Sequence, residues 1–354
     1  MKKEVKLMLQ AVEEAKKGKG RTSPNPLVGC VIERNGRIIG KGFHERFGAE
    51  HAEVNALRKA GKKVKGGTMY VSLEPCCFFG KTPPCTKAII ESGVKKVVIG
   101  SLDPNPLVKG KGVKELRRKG IKTKNLNLSE ARKLNEFYFK FITKKIPFVL
   151  LKSAMSVDGF IADFKGKSKW ISGKKSRKLV HELRNEVDAV MVGIGTVKKD
   201  NPRLTCRIKG GRNPERVIID PKLEFPLNAG MLKEKGKTII VTAKKAGKKI
   251  KLIERKKNVS LLFLGEKKGV IDLRELMREL GRREIASVMI EGGSELNSRA
   301  LNAGIVDRFL FFIAPIEIGK GIPVFSKKII KRNSIKFRIN SVKKIGEDLL
   351  VEAN

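Results

Sequence analysis

The chain has 354 residues, 40% apolar and 32% charged, enough for about two domains that each bury a core, which excludes a disulfide-held miniprotein and a disordered chain. Lysine and arginine outnumber aspartate and glutamate by 78 to 36, a net charge of +42. Residues 1–146 hold 33 basic and 13 acidic residues and the remainder 45 and 23; the excess is spread evenly, not gathered in one nucleic-acid-binding arm, and fits anionic small molecules as well as a polyanion.

In chain order, a helix is expected over about 4–17, because Val5, Met8, Leu9 and Val12 fall at helical spacing. Glu4, Lys6, Glu13 and Glu14 interrupt the apolar stretch that a signal peptide needs. VGCVIERNGRIIGKGFH reads as a strand pair turning at Asn35-Gly36. Helix HAEVNALRKAGK, strand TMYVSL, a Pro- and Cys-rich loop, helix TKAIIESG, strand KKVVIGSLD and helix KGVKELRRKG, stopped by Gly120, follow. Residues 129–142 read as one connecting helix, and Lys144-Lys145-Ile146-Pro147 breaks it. A boundary near 145 follows, giving domains 1–145 and 146–354.

Beyond the boundary the rhythm restarts with PFVLLKSAMSVDGFIA, helix SRKLVHELRNEV, strands DAVMVGI, ERVIID and KTIIVTA, helix DLRELMREL, strand SVMIEGG, helix ELNSRALNAG and strand DRFLFFIAP. The Lys-rich stretches 233–237, 244–257 and 267–268 read as solvated loops and helix faces. The fold class expected for both halves is therefore α/β. No apolar run approaches the ~18–20 residues of a membrane span, and five cysteines, an odd number in a long chain, read as reduced thiols in the cytoplasm.

The chemistry concentrates in the first half, in His51-Ala52-Glu53, Glu74-Pro75-Cys76 and Pro83-Pro84-Cys85. Imidazole and two thiolates suit Zn²⁺, and three protein ligands leave a fourth tetrahedral position open, as a catalytic site requires. Glu53, two residues from His51, is placed to take a proton from water and return it to a departing nitrogen. The set resembles the zinc deaminase signature H-x-E…P-C-x-x-C, in which the Glu is the acid/base and not a ligand. Eight residues, not two, separate Cys76 from Cys85. That longer loop resembles the pyrimidine deaminase of riboflavin biosynthesis, as do Pro24-Asn25-Pro26-Leu27-Val28-Gly29, Gly42-Phe43-His44 and Asp103-Pro104-Asn105-Pro106. Cys77 is a second thiol within the motif, and the position after Pro75 favours Cys76.

This resemblance implies a cytidine-deaminase-like zinc domain whose substrate pocket is lined by Asn25, His44, Lys81, Asp103 and Asn105. Independently, Lys81 on a Gly-Lys-Thr turn offers a point charge to a carbonyl or phosphate. Asn25 and Asn105 are equally readable as Asx-Pro turn formers, and His44 as a satisfied pocket-wall histidine.

In the second half, Lys152-Ser153-Ala154-Met155-Ser156-Val157-Asp158-Gly159 ends a strand, Ser168-Lys169-Trp170 follows, Gly193-Ile194-Gly195-Thr196 leads to Asp200-Asn201-Pro202-Arg203-Leu204, and Glu291-Gly292-Gly293-Ser294 comes near the end. G-x-G-x-x-G is absent, so a Rossmann site is not expected; Gly292 and Gly293 sit where backbone N–H groups at a helix start can hold a pyrophosphate. Together the segments resemble the riboflavin-specific reductase, a dihydrofolate-reductase-like domain that uses NADPH. The resemblance implies cofactor contacts at Ala154, Trp170, Thr196, Asp200, Gly293, Ser294, Glu295, Leu296, Asn297, Ser298 and Arg299. It implies substrate contacts at Ser168, Arg184, Leu204, Arg207 and Glu291, the two arginines suiting a ribose phosphate. Arg184 is also readable as a helix-surface charge, and Trp170 as ordinary core.

The combined expectation is a bifunctional riboflavin enzyme with Zn²⁺ and NADPH as cofactors. It would deaminate a diamino-pyrimidinone ribosylamine phosphate and then reduce its ribosyl group to ribityl, as a homo-oligomer with no membrane or nucleic-acid partner. The alternative is a tRNA or nucleoside deaminase fused to a reductase-like domain of other function. A nucleic-acid binder with a structural zinc lacks a fourth ligand and, with one Trp and two Tyr, the stacking platforms.

Overall fold

The computed structural model describes residues 3–167, 171–267, 269–330 and 334–354. The chain divides into two compact units, Met1–Lys145 and Ile146–Asn354.

The first unit runs α1 (Lys3–Lys16), β1 (Gly29–Arg34), β2 (Arg37–Phe43), α2 (Ala52–Ala60), β3 (Thr68–Val71), α3 (Cys85–Glu91), β4 (Lys96–Ile99), α4 (Lys111–Arg118), β5 (Lys122–Asn125), α5 (Ser129–Leu134) and α6 (Glu136–Lys144). Its sheet has the order β2-β1-β3-β4-β5, with β1 antiparallel to both neighbours and β3, β4 and β5 parallel. Alternate side chains enter opposite layers, as a strand's two-residue period demands. Cys30, Ile32, Val97 and Ile99 pack with Ala52 and Ala56, while Val31 and Val98 pack with Leu7, Met8 and Ala11. Both faces are covered, so the strands read as continuous apolar runs. The helices lie close: a Cβ at Gly29 would collide with the Ala11 carbonyl, and one at Gly42 with the Ala52 carbonyl. That second approach holds the start of α2, and with it His51 and Glu53, against the sheet.

The second unit begins β6 (Phe148–Ser156), β7 (Phe160–Asp163), α7 (Lys174–Glu186), β8 (Ala189–Gly193), α8 (Ile194–Asp200), β9 (Glu215–Ile219), β10 (Thr238–Thr242), α9 (Lys248–Glu254) and β11 (Val259–Phe263). It continues β12 (Glu266–Lys267), β13 (Val270–Ile271), α10 (Leu273–Arg282), β14 (Ser287–Ile290), α11 (Ser294–Asn302), β15 (Arg308–Ala314), β16 (Gly321–Pro323), β17 (Ile339–Ile345) and β18 (Asp348–Ala353). Nine strands form one sheet in the order β11-β10-β9-β8-β14-β6-β15-β18-β17. It is parallel from β11 to β15, and β18 and β17 add antiparallel. Val149, Leu151, Met191, Val217, Val288 and Ile290 form one core with Leu276, Met277 and Leu280 of α10.

Among the described residues no helix is long and apolar enough to cross a membrane. Several elements differ from the sequence expectation. The connecting helix is two helices, because Asn135 leaves helical geometry (φ −113°, ψ 20°) and its side chain accepts from and donates to the Leu27 backbone, both at 2.8 Å. A short helix, α8, to which the sequence expectation gives no element, follows β8 directly. The Lys-rich stretch 244–257 holds α9, one of the expected helix faces, but it also buries Ile250 and Ile253. The final strand pair, β17 and β18, falls in sequence with no strong period-two pattern.

Candidate functional site

In the first unit, β3 ends at Val71 and the chain turns through Glu74-Pro75-Cys76, while His51 caps the start of α2 and Cys85 opens α3. The three ligating atoms lie within 4.8 Å of one another. His51 Nδ1 stands 3.1 Å from Cys85 Sγ and 3.5 Å from Cys76 Sγ. The Cys85 thiol beside it, with the His51 ring, holds Cys76 well below the ordinary thiol range, so the first thiolate forms there. Two soft sulfurs and an imidazole nitrogen around one point are a donor set that fits zinc. Cys77 makes a different contact, to the Leu107 carbonyl at 3.8 Å. Glu53 is 3% exposed, its Oε2 is buried without a hydrogen-bond partner, and burial pushes its carboxyl up to about 7.

Around this centre, Asn25 Nδ2 lies 3.2 Å from His44 Nε2, and His44 Nδ1 lies 3.1 Å from the Glu50 carbonyl. Burial, with the neighbouring His51, pushes His44 down to about 4. The ring is therefore neutral, donates from Nδ1 and accepts at Nε2, which orients the Asn25 amide. His44 also meets the His51 ring edge to face at 5.2 Å. Lys81 holds its ammonium 3.8 Å from the centre of the Phe47 ring. Asp103 is buried, which pushes it up to about 6, and it accepts from Tyr138 Oη at 3.2 Å and from the Asn105 backbone at 2.8 Å. Asn105 Oδ1 accepts from the Leu107 N–H at 3.1 Å, so its oxygen forms a turn.

Glu74, given no role in the sequence expectation, ties these parts together. Its carboxylate accepts from the N–H groups of Asp103 (3.3 Å), Gly110 (3.0 Å) and Val113 (3.2 Å), capping α4 from outside the helix. A Cβ at Gly112 would collide with the Pro75 carbonyl. The turn bearing Cys76 and the turn bearing Asp103 and Asn105 are thus held in one register.

In the second unit a cavity of about 660 Å³ opens at the carboxyl ends of the parallel strands, where open α/β sheets bind ligands. Of the expected cofactor residues, Ala154, Thr196, Asp200, Gly293, Ser294, Glu295, Leu296 and Arg299 line it. Asn297 and Ser298 do not. Both are fully buried; Asn297 donates to the Val324 carbonyl, and Ser298 donates to the Ser294 carbonyl and accepts from the Ser326 N–H. They hold α11 from behind, because a helix can turn only one face to a cavity. Trp170 and Ser168 lie outside the described residues.

The cavity suits a dinucleotide. The α11 N-terminus has no side-chain cap, Ser294 Oγ is buried without a partner, and nothing lies within 4 Å of where a Cβ would stand on Gly193, Gly195 or Gly293. Glu291 also lines it, and so does Lys152, which the sequence expectation gives no role. Arg184 forks onto Glu291, Nε to Oε1 at 2.6 Å and Nη2 to Oε2 at 2.9 Å, and donates to the Thr205 carbonyl at 3.1 Å. Lys152 Nζ stands 3.9 Å from Glu291 Oε2, and burial holds it below the ordinary lysine range. Leu204 is 4% exposed with a left-handed backbone, φ 54°, a conformation uncommon for a residue with a branched side chain. Arg207 is exposed, near enough to His181 to help lower its pKa after burial and Arg184.

Residues 147–351 match the family described as the RibD C-terminal domain, and residues 1–101 the cytidine and deoxycytidylate deaminase zinc-binding region. The riboflavin biosynthesis protein RibD of Aquifex aeolicus (strain VF5) is 47% identical over 348 residues, 97% of this chain and 96% of that protein. The chain belongs to the RibD family. RibD of Escherichia coli (strain K12) is 35% identical over 359 residues, 97% of this chain and 96% of its own. The crystal structure of a diaminohydroxyphosphoribosylaminopyrimidine deaminase/5-amino-6-(5-phosphoribosylamino)uracil reductase from Thermotoga maritima superposes with a TM-score of 0.89 at 42% identity, covering 99% of this chain and 98% of that one. One of Acinetobacter baumannii RibD gives 0.89 at 35%. The chain is thus a bifunctional RibD enzyme of riboflavin biosynthesis, a zinc-binding deaminase domain followed by an NADPH-dependent reductase domain. The fold and the paired activities match the sequence expectation, and the tRNA-deaminase alternative falls.

Proposed function

We propose that residues 1–145 deaminate a diamino-pyrimidinone ribosylamine phosphate and that residues 146–354 then reduce the product's ribosyl group to ribityl. The convergence of His51, Cys76 and Cys85 beside the buried Glu53 carboxyl, whose Oε2 has no hydrogen-bond partner, carries this reading. His51, Cys76 and Cys85 would hold zinc, which when bound supplies the Lewis acidity that makes water a nucleophile at neutral pH. Glu53 takes the proton of the attacking water and returns it to the departing amino group, so that ammonia leaves and a carbonyl remains. Asn25, oriented by neutral His44, and the Asp103–Asn105 turn hold the pyrimidine. Lys81, poised over Phe47, offers charge to its carbonyl or phosphate.

In the second half Gly293–Leu296, Thr196, Asp200, Ala154 and Arg299 would hold NADPH, which supplies the hydride. Hydride reaching the ribosyl carbon leaves one proton to be delivered to the ring oxygen. The Lys152–Glu291 pair on the cavity wall would supply that proton, from the Lys152 ammonium, and Arg184 keeps Glu291 ionised and oriented. Arg184 is committed to Glu291, so the exposed Arg207 is the one of the two arginines assigned to a phosphate. Two thiols needed as metal ligands fit a reducing cytoplasm, and a homo-oligomer is the form expected to work there.

The test incubates the purified chain with the pyrimidine substrate, with and without NADPH, and follows ammonia release and NADPH loss separately. Ammonia should appear without NADPH, and NADPH should be consumed only once the amino group has gone. Glu53→Gln should retain zinc and lose ammonia release; zinc loss in that variant would make Glu53 a ligand instead.

A further inference from the structure

The ten-residue segment from Cys76 to Cys85 does more than separate two ligands. A spacing of two residues would close in one helical turn; here the chain leaves the site and comes back. Gly80 N–H donates to the Thr82 carbonyl at 3.2 Å, Lys81 stands over Phe47, and Pro83 and Pro84 lead into Cys85. A residue before proline is confined to extended backbone, so Thr82 is pinned from both sides.

Its hydroxyl arrives at the far side of the ligand histidine, with Thr82 Oγ1 3.4 Å from His51 Nε2. The opposite ring nitrogen, Nδ1, faces both thiols. A neutral imidazole has one N–H, and a nitrogen that gives its lone pair to a metal leaves that hydrogen on the other. Nε2–H therefore needs an acceptor, and among the described residues Thr82 supplies it. The two residues share the wall of a cavity of about 320 Å³ with Glu50, Val54, Pro84 and Lys87.

We propose that Thr82 is a positioning residue for the metal centre: by accepting the His51 Nε2 proton it fixes the ring's tautomer and orientation, and so sets how firmly the site retains zinc. The proposal rests on the reading of His51 as a ligand. Outer partners of metal-bound histidines are worth about 10–100-fold in metal affinity or activity, and 3.4 Å is at the loose end for a hydrogen bond, so an effect near the lower figure is expected.

The experiment loads full-length wild-type, Thr82→Val and Thr82→Ser proteins with zinc and measures release into excess chromogenic chelator. Valine matches threonine in shape and opens no room for a substitute water. Thr82→Val should release zinc about tenfold faster, Thr82→Ser within about twofold of wild type, and the metal-free forms of all three should melt together. Wild-type release from Thr82→Val would overturn the proposal. Equally fast release from Thr82→Ser would overturn it too, by tracing the effect to loop packing and not to the hydroxyl. A wild-type chain that takes up no zinc would remove the ligand reading, and the proposal with it.

Discussion

The two candidate sites are built from different materials. In the first unit, side chains touch side chains: His51 meets both thiols, Asn25 meets His44, and Tyr138 meets Asp103. In the second, the cavity is bounded largely by strand ends, bare glycines and an uncapped helix start, with charged side chains at the wall paired to one another or to neighbours behind it, as Lys152 and Arg184 are to Glu291 and Arg299 is to Glu295. The difference follows from where the reacting group resides. Hydrolytic deamination needs an acid/base of the protein's own, held beforehand at the reacting atoms. Hydride transfer brings its chemistry with the nicotinamide, and the protein has to supply room, backbone donors and orientation.

Each part of this contrast can be broken. The largest effect should come from the metal ligands: Cys76→Ser, or chelator treatment of the wild type, should reduce ammonia release at least ~10³-fold, with NADPH oxidation on the deaminated pyrimidine nearly unchanged. If both activities fell together, the sites would not be separate. Next, Arg184→Ala leaves Glu291 buried with only the more distant Lys152, and removing one partner of a buried pair costs about 3–5 kcal/mol, to be read as denaturant unfolding of the second unit. Burial alone would raise Glu291; Arg184 and Lys152 outweigh it and hold the carboxyl below its ordinary value. A carboxyl depressed in the fold stabilises it above the unfolded pKa of roughly 4.3, and that stability is lost as pH falls through the lower folded value. Without Arg184 the buried carboxyl titrates higher in the variant than in the wild type, so the gap should be full above the variant's Glu291 pKa and shrink as pH falls from there towards the lower wild-type value.

A smaller loss is expected for Glu74→Gln, where an amide nitrogen must face backbone donors. Buried donors left unpaired cost about 1–3 kcal/mol, visible as earlier melting of the first unit with the second unaffected. The mildest change, Gly293→Ala, sharpens the contrast most. Its φ of −81° suits alanine and open space surrounds it, so stability should move by under about 0.5 kcal/mol. The methyl would nevertheless stand in the cavity, and NADPH affinity, measured by fluorescence titration, should fall about tenfold. Unchanged affinity would clear α11 of cofactor contact.

The first site was the more legible of the two for the same reason. His, Cys and Glu at fixed spacings advertise zinc chemistry, whereas backbone N–H groups and empty space leave little trace beyond glycines at strand ends. The strands of both cores were readable from apolar runs such as TMYV and AVMVG. The β17–β18 pair was not: β17 is a solvated edge with two lysines and no buried stripe, and β18 buries Asp348, Leu350 and Ala353, a set with a charge at its start and no regular alternation. Lys152 and Glu74 had a visible signal, a lone charge inside or at the end of an apolar strand, but their partners, Glu291 and the α4 N-terminus, are distant in sequence. The run Gly293–Arg299 that the resemblance implies takes in Asn297 and Ser298, yet a helix alternates its faces and these two point away from the cavity.

The clasp between Asn135 and Leu27 bears on how the enzyme can be cut. The stretch matching the deaminase zinc-binding region stops at residue 101, yet Asp103, Asn105, Asn135 and Tyr138 all lie after it. A shortened protein ending there would keep every zinc ligand while releasing the Pro24–Leu27 loop and discarding Asp103 and Asn105 from the pocket. It should emerge from expression as a metal-binding but unproductive fragment. The helices before residue 145 are thus an inseparable strap around the first unit, to be retained whole in any excised catalyst.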